Sequence, residues 1–192
     1  MKTIITLKHW QLFLIILLPV LVSELIALDL VLLRTLLSFI SFFTLFFWMY
    51  SIVHVLSEEV FNGERQNRKY YLTAYLVFIF AGVAVYLLNK YFVLTNGRSI
   101  NSSDGVLFWF MLILGLCSLW CIFYIYYYTA RTISLANIKL NPDEGSITTN
   151  YFLAFWFYII GIWFVQPKVN ELLSKNERAE ATKIQDQTTN NG

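Results

Sequence analysis

The sequence predicts an all-α fold, a polytopic bundle of membrane helices, on three observations. The 192 residues are 58% apolar and only 14% charged, whereas a soluble domain carries about 25% charged residues. The apolar residues gather into runs of about 20 or more, the length that crosses a hydrocarbon core roughly 30 Å thick. Short polar loops with turn signals separate the later runs, although no Gly, Asn or Pro marks the turn between the first two. A net charge of +2 is too small for a nucleic-acid partner, so the lipid bilayer is the expected surrounding.

The N-terminal run from Trp10 to Leu56 would be a helix about 70 Å long, more than twice the core thickness, so it must fold back. Its internal charges are Glu24, Asp29 and Arg34, which puts the turn near Asp29. Span one is therefore read at about 10–28, with Pro19 as a possible kink, and span two at about 32–56. Met1-Lys2 followed by Leu12–Val22 imitates a secretory signal, but no A-x-A-like cleavage triplet follows, and the segment is read as retained. The loop Ser57–Lys69 turns at Asn62-Gly63. Span three covers about 70–90 and ends at Asn89-Lys90, with tyrosines near both ends as an interfacial belt requires. Span four, about 106–128, has no charge and twelve Val, Leu, Ile or Phe residues, which contribute roughly −4 to −7 kcal/mol to insertion. Thr132–Leu140 either extends this helix or lies on the surface.

The fifth apolar segment, 147–166, is either a full span or a re-entrant half-span. Positive charge is retained on the cytoplasmic side. With the N-terminus cytoplasmic, a full crossing leaves seven Lys and Arg on each side, whereas a return gives eleven inside against three outside. Pro167 opens a new helix readily and pushes Gln166 away from helical angles. The charges and the proline favour a hairpin that breaks at Gln166-Pro167, followed by an interfacial helix over 167–175. A helix starting at Ile147 and merely kinked at Pro167 would cross. Residues 1–173 thus form a single membrane domain, and the polar stretch 174–192 is expected to be a disordered tail.

Three blocks resemble a known group: Lys8-His9-Trp10-Gln11-Leu12-Phe13, Cys121-Ile122-Phe123-Tyr124, and Gly161-Ile162-Trp163-Phe164-Val165-Gln166-Pro167-Lys168-Val169-Asn170. Together they are similar to a family of small multi-span membrane proteins of Bacteroidota. The resemblance implies a bacterial cytoplasmic membrane and brings no activity or catalytic residue. That family often carries proline where this chain has Ile159, which argues against a break in the first half of the last block.

The candidate sites are few. Glu24 and Arg34 flank Asp29 symmetrically and can pair at the turn, because unpaired charge in lipid is costly; a proton or ion path is the sharper alternative. His9, His54 and Glu58 come to the cytoplasmic edge, with Glu58 one turn beyond His54. Two imidazoles and a carboxylate suit a metal with an open position, though the spacing matches no signature. Cys117 and Cys121 lie one turn apart beside Gly115 and Ser118, a small-residue band suited to close helix packing, with Ala81, Gly82 and Ala84 similar in span three. Gln166, Pro167, Lys168 and Asn170 form the most distinctive polar block. No phosphate loop, zinc-protease helix or nucleophile elbow is present, and no cofactor is expected. The expected function is a non-enzymatic interaction, accessory or envelope component, meeting a second copy or another membrane protein. A small oligomeric transporter or channel is the first alternative, and an enzyme at the cytoplasmic face the second.

Overall fold

A computed structural model describes residues 5, 7–25, 31–61, 68–100, 104–142 and 148–190. Asp29 and the Asn62-Gly63 turn lie outside the described residues. Within them the chain is all-helical: α1 His9–Leu25, α2 Val31–Glu59, α3 Arg68–Asn96, α4 Val106–Leu140, α5 Thr148–Trp156 and α6 Tyr158–Asn190. Three stretches are long and apolar enough to cross a membrane, Leu33–Glu59, Lys69–Asn96 and Val106–Leu140. The described part of α1 is a shorter apolar helix of 17 residues. The chain divides into two compact units, Met1–Arg65 with Thr129–Gly192, and Gln66–Tyr128.

The smaller unit holds α3 and the first part of α4. The helix α3 runs past Lys90 to Asn96, longer than the expected span, because Thr95 and Asn96 donate to carbonyls of the preceding turn at 3.0 and 3.3 Å. Gly97 then takes φ +69° and donates its N–H to the Val93 carbonyl at 2.9 Å. A left-handed residue is the usual helix stop, and glycine reaches it without strain. Arg98 grips Asp104 through two hydrogen bonds of 2.8 and 2.6 Å, which fixes the entry into α4. Tyr71 stacks on Tyr128 at 4.9 Å between ring centroids. Every residue of α4 from Val106 to Tyr124 is half-buried or exposed.

In the larger unit α1 and α2 run antiparallel. Arg34 pairs with Glu24 at 2.6 Å, and Ser41 of α2 donates to the Ile16 carbonyl of α1. That carbonyl is next to the one Pro19 deprives of its helical donor, so the neighbouring helix supplies a polar contact where the ladder is weakest. Leu12, Ile16 and Ser23 form the buried face of α1. Beyond Tyr128, α4 changes character: Thr129, Ala130, Thr132, Ile133, Ser134, Ala136 and Asn137 are buried, so Thr132–Leu140 extends the helix.

The last segment differs most from the sequence expectation. Its break falls at Phe157, and α6 passes through Pro167 without interruption. Gly161 explains the position: its Cα approaches Ala154 so closely that an added Cβ would come within 2.5 Å of the Ala154 carbonyl carbon. Residues seven apart on a straight helix are about 10 Å apart along the axis, so α5 and α6 meet in a sharp V at Phe157. The missing proline at Ile159 is therefore no obstacle to a break here. Residues 174–190 continue α6 where disorder was expected; Lys, Glu, Arg, Ala and Gln are good helix formers, and Asn176 reaches Glu180 at 3.2 Å across one turn.

Candidate functional site

The QPKVN block becomes a joint between three parts of the larger unit. Gln166 is fully buried and uses both ends of its amide. Its Oε1 accepts from Trp48 Nε1 of α2 at 2.7 Å. Its Nε2 donates to the Ile5 carbonyl and, at 3.0 Å, to the Leu7 carbonyl, with Asn170 Oδ1 at 3.5 Å. One side chain thus ties the segment before α1 to α2 and α6. Aromatic contacts surround it: His9 lies 4.5 Å from Trp163 between ring centroids, Phe13 is edge-on to Trp163 at 5.8 Å, and Trp48 meets Phe155 at 5.8 Å. Pro167 removes one N–H from α6, while Val165 and Val169 on either side are fully buried.

One turn further, the polar residues form a chain. Lys168 and Lys175 share Glu171 at 3.2 and 2.8 Å. Lys175 also donates to Asn141 Oδ1 at 2.6 Å, and Asn141 donates to Asn137 at 2.9 Å. Asn176 donates to the Glu59 carbonyl at 3.1 Å and Lys139 to the Val60 carbonyl at 2.7 Å. These two contacts satisfy carbonyls at the C-terminal end of α2 that lack helical donors.

The hydrogen bond from Lys175, ahead of the pairing with Lys168, holds the Glu171 carboxyl below its ordinary range despite some desolvation. A depressed carboxyl contributes stability above its unfolded pKa of about 4.3, and that stability is lost as pH falls through the folded value. Glu171 is 41% exposed, so the contribution is small. The expected outcome is a thermal midpoint whose decline below about pH 4 is shallower in Glu171→Gln than in the parent, with the two parallel above pH 5. Truncation provides a second check. Ending the chain after Asn176 should leave the midpoint unchanged, whereas ending it after Leu173 removes Lys175 and Asn176 and should cost about 1–3 kcal/mol in unpaired carbonyls and amides.

The metal candidates do not assemble. Among the described residues, which include His9, His54 and Glu58, no three His, Cys, Asp or Glu side chains come together to hold an ion. His9 packs on Trp163 instead. His54 Nδ1 is shielded, makes no hydrogen bond, and lies 4.0 Å from Glu58 Oε1, a two-residue contact on one helix face. Glu24 and Arg34 neutralise each other at the surface. Cys117 and Cys121 are unpaired thiols on α4.

Trp48, Gly161, Asn137, Asn141 and Asn176 were not singled out by the sequence. A buried indole N–H needs an acceptor, which is the one available hint for Trp48, but its partner lies 118 residues away. A neutral carboxamide is neither a nucleophile nor an acid or base at ordinary pH; with its donors and acceptor taken up, Gln166 holds segments together. No protein-family model, curated protein or solved structure matches the chain.

Proposed function

We propose that the chain is a polytopic protein of a bacterial cytoplasmic membrane, N-terminus inside, that acts as an interaction or accessory component and carries a half-inserted hairpin at its cytoplasmic face. The observation that carries this is the set of contacts at the far end of α6. Lys175 bonds Asn141 at the end of α4, and Asn176 bonds the Glu59 carbonyl at the end of α2. Gln166 bonds the segment just before α1. If α2 and α4 leave the membrane on the side where the N-terminus lies, residues 166–176 are on that side too. Only six residues separate Asn141 from Thr148, so the hairpin also begins there.

The depth follows from helix geometry. His9 and Trp48 stand level with Trp163 and Gln166, at the start of α1. Below that level α5 has nine residues and α6 the eight from Tyr158 to Val165, limbs of about 12–14 Å. That is roughly half of a 30 Å core. The eleven-to-three charge distribution supports the same side for the tail. Above that level, the buried faces of α2, α4 and α6 make a helical headpiece outside the bilayer.

A non-enzymatic role is supported by a site that consists of satisfied structural contacts, and by spans whose exposed faces are apolar. Pores use ionisable groups in their interiors; here no charged side chain lines the hairpin's groove and Glu24 is paired with Arg34, which disfavours the transporter. Mild detergent extraction from the native membrane, followed by size determination, should recover the chain with a defined partner or as an oligomer. A lone monodisperse monomer across several detergents would count against the proposal.

A further inference from the structure

We draw no further inference here: the strongest candidate, the apolar face of α4 that carries Trp109, Ile113, Leu116 and Trp120 on successive turns, is exposed along its length, and nothing in the structure shows what covers it.

Discussion

Gly161→Ala is expected to open the α5–α6 bend and to meet the tightest contact of any alanine substitution among the described glycines. The added Cβ would come within 2.5 Å of the Ala154 carbonyl carbon and 3.2 Å of its Cα, and closer still to the carbonyl oxygen. All three are backbone atoms, so no side-chain rotation relieves the contact and one limb must move. Overpacking costs about 1–3 kcal/mol where side chains can give way and more where they cannot, so a loss of about 3 kcal/mol or more is expected. The loss should be local at first. Protection of amides in 150–165 against hydrogen exchange should fall before that of α2, and the midpoint by size-exclusion thermal challenge should drop. Gly82 and Gly115 have open space where a Cβ would go, so alanine at either should leave protection unchanged. That contrast separates a packing requirement from the general helix preference for alanine.

Gln166→Leu is expected to cost about as much by the opposite route, removing partners instead of adding bulk. It leaves the Trp48 indole N–H and the Ile5 and Leu7 carbonyls buried with nothing to bond. Each such orphan costs about 1–3 kcal/mol, partly relieved as the segment before α1 detaches and meets water, so a net loss of about 3 kcal/mol is expected. Gln166→Glu separates the two halves of the amide. The carboxylate still accepts from Trp48 but faces two carbonyl oxygens without a donor, so it should be at least as damaging as leucine. Trp48→Phe alone should cost about 1 kcal/mol, and its cycle with Gln166→Leu should give a coupling of about 0.5–3 kcal/mol. Faster proteolysis of the N-terminal residues in the glutamine variants would locate the loss. Additive single and double variants would mean the two side chains do not act as a unit.

The three long apolar helices were legible because hydrophobic run length is a local property. The meeting of Glu24 and Arg34 was legible for a similar reason: in an apolar run of this length, the rare charges mark where the chain leaves the core. The bend was not. Proline is a visible breaker and glycine a permissive residue, so attention fell on Pro167, which α6 absorbs, while the close approach at Gly161 depends on what stands seven residues earlier. The helicity of 174–190 was missed because low hydrophobicity was taken as disorder, although its charged residues favour helix once Leu172 and Leu173 anchor the preceding turns. The QPKVN block was recognisable as unusual, but its role depends on Trp48 and Ile5, and sequence spacing carries no sign of either. The idea of a histidine site failed on placement: His9 packs on Trp163, level with Trp48, while Glu58 lies ten residues further along α2 beside His54.

The central claim is that residues 148–166 enter the bilayer and return to the side they came from. The direct measurement is to fuse a fluorescent reporter and a periplasm-dependent phosphatase in turn after Gly192, expressed in a bacterial inner membrane. The same fusions to Gly161→Ala, which should loosen the bend, serve as a comparison. Fluorescence without phosphatase activity in the parent chain is the predicted result, with Lys168, Lys175 and Arg178 then joining the cytoplasmic positive charges. Phosphatase activity without fluorescence would mean that the segment crosses, and would contradict the hairpin and the common side for the ends of α2, α4 and α6.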